Sequence, residues 1–473
     1  MRFFYLQYSN ALETLRVILL KIYDLRLFLR IYKLKPKITF KQINRLALPA
    51  LIAGIAEPLL SITDTAIVGN VTVNPIEALA AVGIAGSFLS ALFWILAQTR
   101  SAISAIVAQY LGANKLEEIK GLPAQIIAIN IILSLLLYAI TLFFAEHIFR
   151  LYNADGLLLN YAISYYKIRA IGLPFTVFVF SVFGVFRGLQ NTYYPMIISS
   201  IGAVLNVILD YILVFGIEGY IPAFHIEGAA YASIIAQIVM AIVAFVLLLK
   251  KTPFSLQLQF PFNKEIKRLL LLSFNLFIRA FALNIALYFA NAYATKYGKN
   301  YIAAQTIAFQ IWLFFAFFID GYSSVGNIIS GRLLGEKDYK NLWKLGIDLS
   351  KYASIVGVIL AVISFIFYLQ IGELFTEDRA VLNAFYGIFW MVLIMQPLNA
   401  IAFVFDGLFK GLAEAVSLRN TQLIATFLGF IPVLIIGDYF HLKLYAIWIA
   451  FTVWILLRMF ILVFLFRKKY LQT

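Results

Sequence analysis

The sequence predicts an all-α membrane protein of twelve transmembrane helices arranged as two parallel six-helix repeats. Three observations carry that prediction. Of 473 residues, 63% are apolar and only 13% charged, with 44 Phe and a mean hydropathy of +0.91, a composition beyond that of soluble proteins this long. Twelve apolar runs reach the roughly 20 residues that a helix needs to cross a bilayer, and they are too continuously apolar to alternate as barrel strands. The chain also matches itself without a gap: the 36 residues from Ala80 agree with the 36 from Ala303 at 8 positions, an offset of 303 − 80 = 223.

Chance likeness between two Ala/Ile/Leu-rich stretches would account for that pair alone. It does not account for the second, where Pro174, Phe180, Gly184, Phe186, Gly188 and Leu189 stand opposite Pro397, Phe403, Gly407, Phe409, Gly411 and Leu412 at the same offset. Pro and Gly report backbone conformation rather than composition. The runs start near Leu46, Ala80, Ile119, Tyr161, Tyr193 and Gly228, then near Leu269, Tyr301, Trp343, Asn383, Ser417 and Leu442. An even number in each half brings both halves into the bilayer from the same side, so the repeats are related by an axis along the membrane normal.

Taken in order, residues 1–45 carry ten Lys and Arg interleaved with apolar positions and have no cleavable small-residue site. An interfacial helix fits them better than a signal peptide, and an ordinary basic flank fits about as well. The first lobe is expected over 46–249, a linker with five basic residues over 250–268, the second lobe over 269–466 and a tail with Arg467, Lys468 and Lys469 over 467–473. The 332–344 loop adds four basic residues, whereas the alternate loops carry only Arg150, Lys296, Lys299, Arg379 and Lys443. Both termini and the linker are therefore expected in the cytoplasm. The net charge of +15 follows largely from this asymmetry, so lipid is the expected polyanionic neighbour and nucleic acid is not.

The chain has no Cys, three isolated His and no GxxxxGK[ST], which excludes disulfide and thiol chemistry and leaves no metal-ligand spacing or nucleotide-hydrolysis motif. No cofactor is expected, no enzymatic role either, and any energy source would be an ion gradient. Charges inside the spans then become the informative residues, since each costs about 2.5–3.5 kcal/mol to insert.

Span 1 places Asp64 18 residues in, about 27 Å at 1.5 Å per residue. Span 5 places Asp210 17 residues in, with Asn206 one turn inward on the same face, and Ser233 lies five residues into span 6 from the other side. Two carboxylates, an amide and a hydroxyl thus share the outer half of the first bundle, with Lys167 and Arg169 near the start of span 4 the only cations read at that depth. An acid pair in low dielectric either shares a proton or holds a cation. Glu57 lies two turns before Asp64 on the same face, where it would extend a proton path or cap a water-filled kink beside Pro58. Arg100, Arg279, Asp320 and Asp406 fall nearer the cytoplasm, where opposite charges would neutralise one another as a structural or gating network. Lys351 and Arg458 also lie in apolar runs without a partner legible in the sequence.

In sequence, PALIAGIAEPLLSITDTAIVGNV, ILAQTRSAISAIVAQYLGANK, FGVFRGLQNTYYP, NVILDYILVFG, LFIRAFALN, IDGYSSVGNIISGRLLG and FDGLFKGLAEAVSLRN resemble successive signatures of the multidrug and toxic compound extrusion (MATE) transporters, in their DinF-like branch. The likeness covers about residues 45–465, and the order and spacing of DTAIVG, N-x-x-x-D and GRLLG are its most specific parts. It implies a V-shaped pair of six-helix lobes, monomeric, in a prokaryotic plasma membrane, exporting small amphipathic, often cationic compounds in exchange for inward Na⁺ or H⁺. The family's ion site matches Asp64, Asn206, Asp210 and Ser233, the last replacing a usual Thr. Asn191 stands where the family often has Asp, Asn327 where Glu is common, and Glu57 where an apolar residue is usual. A lipid or lipid-linked oligosaccharide flippase of the same superfamily, which would line its cleft with basic residues, remains an alternative. So does a non-transporting scaffold. A twelve-span facilitator lacks support, because LGANKLEEIKG carries no basic loop motif. Asp64 falls opposite Leu287, Asp210 opposite Val433, Asp320 opposite Ala97 and Asp406 opposite Phe183, so the duplication did not extend to the acids.

Overall fold

The computed structural model describes residues 38–71, 74–152 and 154–470, with side chains of 56–62, 65, 75 and 76 excepted. The interfacial helix expected over 1–45 therefore lies, through residue 37, outside the described residues, and so does the Glu57 side chain. Among the described residues the chain is helical, with a single isolated β-bridge between Ile217 and Ile221.

The first half comprises spans 1 (Phe40–Val68), 2 (Pro75–Leu96 continued by Gln98–Gly112), 3 (Leu122–Phe143), 4 (Gly156–Arg169 continued by Leu173–Gly188), 5 (Tyr193–Phe215) and 6 (His225–Lys251). The second comprises spans 7 (Glu265–Tyr297), 8 (Lys299–Gly335), 9 (Tyr339–Ile366), 10 (Arg379–Gly411), 11 (Ala415–Tyr439) and 12 (Leu444–Tyr470). Eleven of these are long and apolar enough to cross a membrane, and span 1, with 29 residues, is the twelfth.

Several helix boundaries keep the sequence offset. Gly112 and Gly335 end spans 2 and 8, Gly156 and Arg379 begin spans 4 and 10, Gly188 and Gly411 end them, and in each case the difference is 223. Short helices after spans 3 and 9, Ala145–Leu151 and Tyr368–Glu373, start at the same interval. So do the left-handed residues that stop the helices: Asn114 and Lys337 both have φ 58°, and Gln190 and Ala413 have φ 62° and 60°.

One repeated proline has two outcomes. Pro174 cannot donate to the Ala170 carbonyl, and span 4 breaks there through a 3₁₀ turn, Ala170–Gly172, that leaves Arg169 at the end of its first segment. Pro397 sits inside an unbroken span 10. Span 9 packs against that point, with Gly357 beside the Gln396 carbonyl and the Ser354 hydroxyl 3.4 Å from the Pro397 carbonyl.

The halves meet where spans 2 and 8 cross, through small residues. A Cβ on Gly112 would overlap the carbonyl of Arg332, and a Cβ on Gly335 would overlap the carbonyl of Gln109. Since 112 + 223 = 335 and 109 + 223 = 332, the contact is reciprocal, as two-fold related elements require. The hydrogen bonds that cross between halves cluster at this same end: Gln109 donates to the Gly411 carbonyl at 2.9 Å, Gln190 to Ile328 at 2.8 Å and Asn327 to Ser101 at 3.4 Å. Replacing Gly335 by Val is expected to force the halves apart here. In this Cys-free chain, spin labels on cysteines placed at Asn114 and Lys337 would then report a longer distance than in the parent; an unchanged distance would show that the crossing tolerates a side chain.

Candidate ion site and central cavity

Four spans of the first half converge on Asp64. Asn206 and Asp210 lie one turn apart on span 5, and Asn206 faces Ser233 of span 6 at 3.2 Å. Spans 5 and 6 approach closely because Gly228 admits the Leu213 carbonyl and Gly202 admits the Met240 side chain. Asp64, Asn206, Asp210 and Ser233 are all buried, at 3, 0, 0 and 3% exposure. The Ser233 hydroxyl donates to Asp64 Oδ2 at 3.1 Å, and the Tyr165 hydroxyl stands 3.5 Å from the same oxygen.

Asn206 links the two acids. With the amide oriented as its surroundings require, its nitrogen donates to Asp64 Oδ1 and to Asp210 Oδ2, both at 3.2 Å, while its oxygen lies 3.2 Å from Ser233 Oγ. Two carboxylates, an amide oxygen and a hydroxyl within this reach form a donor set that a hard cation or a shared proton would stabilise. Among the described residues no group of three His, Cys, Asp or Glu could hold a multivalent metal.

The sequence reading set Lys167 and Arg169 at this depth near the start of span 4 without tying either to the acids, and the structure supplies the link for Arg169. Span 4 begins at Gly156 rather than near Tyr161, which puts Arg169 13 residues in, about 20 Å deep. Arg169 is 9% exposed, interacts with Tyr165 and with the Asp64 charge, and stacks over Phe93 at 5.6 Å. Its Nη1 and the neighbouring Gln237 Oε1 have no hydrogen-bond partner.

The four residues expected to form an inner network separate into a pair and two cavity residues. Arg279 grips Asp406 through two bonds, Nε to Oδ1 at 3.1 Å and Nη2 to Oδ2 at 2.5 Å. Lys410 at 3.3 Å and Arg458 at 3.5 Å surround the same carboxylate, and Arg458 also lies over the Trp454 ring at 4.6 Å. Asp320 instead stands exposed on a cavity wall, within electrostatic reach of Arg187 and Lys410. Arg100 lines the same wall with its guanidinium 5.5 Å from the Phe180 ring centre.

That cavity, about 400 Å³, is lined by spans of both halves and reaches Asp64. Its aromatic wall includes Trp94 and a stacked pair, Phe309 and Trp312, at 5.7 Å. Its charge is opposite to that of a cleft built for cations: Arg100, Arg169, Arg187, Arg279 and Lys410 line it, against Asp64 and Asp320. Arg187 and Lys410, missed in the sequence reading, were signalled by the offset itself, since 410 − 187 = 223.

The MatE family model matches residues 49–212 and again 276–440. DNA damage-inducible protein F of Escherichia coli is 24% identical over 441 residues, covering 91% of this chain and 92% of its own. The multidrug export protein MepA of Staphylococcus saprophyticus is 24% identical over 337 residues, covering 70% and 72%. Among solved structures, the outward-facing conformation of a multidrug resistance MATE family transporter of the MOP superfamily superposes with a TM-score of 0.83 at 22% identity, covering 91% of this chain and 96% of that one.

Proposed function

The chain belongs to the MatE family, and from that premise we propose that it is a secondary active exporter of small amphipathic compounds, driven by inward movement of H⁺ or Na⁺. The observation that carries the coupling is the buried Asp64–Asn206–Asp210–Ser233 cluster, two acids bridged by an amide beside a cavity that reaches Asp64. Two carboxylates out of water favour taking up a positive charge, and Arg169 favours giving it up again. A site poised in this way loads from the side where the ion is abundant and empties where it is scarce.

The cycle follows from where the halves touch. The cross-half bonds and the Gly112/Gly335 crossing close the end bearing the basic loops, which supports an outward-facing state with a cytoplasmic seal. Ion entry would neutralise charge on the Asp64/Asp210 pair and reshape span 1, and cargo would leave outward. Release of the ion inward would reset the pump. The protein is a multi-pass membrane protein; a prokaryotic plasma membrane, both termini inside and a monomeric state complete the reading.

Purified protein in vesicles under an imposed Na⁺ gradient, and separately an imposed pH gradient, tests it. Accumulation of a fluorescent amphipath under one of them is expected; no response to either would sink ion-coupled export. The basic lining of the cavity also favours a second reading, a flippase for a lipid carrying phosphate, and flipping of such a lipid without either gradient would favour it over antiport.

A further inference from the structure

We propose that the cargo is an organic anion, a carboxylate, sulfonate or phosphate on an apolar body, held by Arg187 at the floor of the cavity; this rests on the transport reading above.

The lining cations are not equally available. Arg279 and Lys410 share Asp406, and Arg169 attends Asp64. Arg187 is different. Its side chain lines the cavity at 6% exposure, and among the described residues its Nε has no partner and its one side-chain bond is a 3.5 Å contact from Nη1 to Ser324 Oγ, across the two halves. A buried guanidinium left this short of acceptors is costly, and an anion relieves that cost through the planar fork that carboxylate and phosphate oxygens fit. Asp320 stands nearby and answers one charge, while Arg100 supplies another. With Lys410 answered by Asp406, Arg187 and Arg100 still outnumber Asp320 among the charges that line this end.

The repeat points the same way. Lys410 is the second half's counterpart of Arg187, so a cation faces the cavity from both sides of the two-fold axis, whereas no acid of the site has an acidic counterpart. The aromatic wall suits the apolar body: Phe309 and Trp312 stack at 5.7 Å with 25° between their planes, and Phe403 meets Trp312 edge-on at 6.2 Å. Cationic cargo would meet the same wall, but only after displacing or approaching like charge.

Carboxyfluorescein and rhodamine 123 share a xanthene frame and carry opposite charge, which makes them suitable probes. In phosphatidylcholine nanodiscs holding the full chain, fluorescence anisotropy should give the anionic dye at least about tenfold tighter binding, a difference of about 1.4 kcal/mol. This comparison needs no variant. Arg187→Gln should erase the preference by weakening the anion about tenfold while leaving rhodamine unchanged, and Arg187→Lys should restore part of it. Rhodamine binding as tightly as carboxyfluorescein, or Arg187→Gln leaving a well-folded protein with its anion affinity intact, would overturn the assignment. Adding phosphatidylglycerol separates two sources of the same chemistry: displacement of the dye identifies an acidic lipid headgroup, and retention identifies a free organic anion, either of which keeps the assignment. In vesicles, gradient-driven movement of rhodamine with no carboxyfluorescein binding overturns the anion and leaves export standing. Arg187-dependent carboxyfluorescein binding with no movement under either gradient keeps the anion and overturns export.

Discussion

Asp64→Asn is expected to abolish uphill export while the protein still folds and inserts. The substitution keeps the volume and the hydrogen-bonding reach to Ser233 and Tyr165, at 3.1 and 3.5 Å in the parent, but removes the titratable group. One net charge moved through 100 mV is worth about 2.3 kcal/mol, which sustains a concentration ratio of about 50-fold. In vesicles clamped at that potential, the variant should show a ratio near one, and in an efflux-deficient host it should confer no resistance. Asp210→Asn should do the same, since Asn206 lies 3.2 Å from both carboxylates and the two acids act as one site. Retention of parental accumulation by either variant would remove the cluster from the coupling mechanism.

Asp406→Ala is expected to be the most destabilising single change in the second half. It would leave Arg279, Lys410 and Arg458 buried around an empty centre, and uncovering one partner of a buried ion pair costs about 3–5 kcal/mol. Arg279→Gln should cost less, because Asp406 would still hold Lys410 at 3.3 Å and Arg458 at 3.5 Å. The asymmetry is the test. Melting followed by tryptophan fluorescence in detergent, with Trp454 under Arg458 as a local reporter, should rank the two in that order. Equal losses would mean that Arg279 and Asp406 form a simple pair and that the other two cations are bystanders.

Much of the architecture was legible in the chain because its information is periodic. Apolar runs gave twelve spans, and the positions of Pro174, Gly188, Pro397 and Gly411 gave an offset that several helix ends then keep. The acid cluster was legible for a related reason: depth along a helix is a count of residues, so Asp64 and Asp210 could be brought to one level without knowing how spans 1 and 5 pack. What counting cannot supply is the start of a span hidden in a polar-looking segment. Span 4 starts five residues before its apolar run, since 161 − 156 = 5, and a count that set Arg169 at the depth of the acids could not show that it turns toward Asp64. Lateral partners were equally out of reach. Nothing in the sequence ties Arg458 to Asp406 across 52 residues, nor separates Asp320, which faces the cavity, from Asp406, which does not.

The reciprocal crossing of spans 2 and 8 has an ancestry written into it. A surface in which position 112 meets 332 while 335 meets 109 is self-complementary, the property of a symmetric homodimer rather than of two domains that adapted to each other. A six-helix progenitor would have paired with its own copy through this patch, and the 252–264 connection later made the pairing permanent. Two genes, one for each half, should therefore yield chains that find each other in the bilayer without any linker.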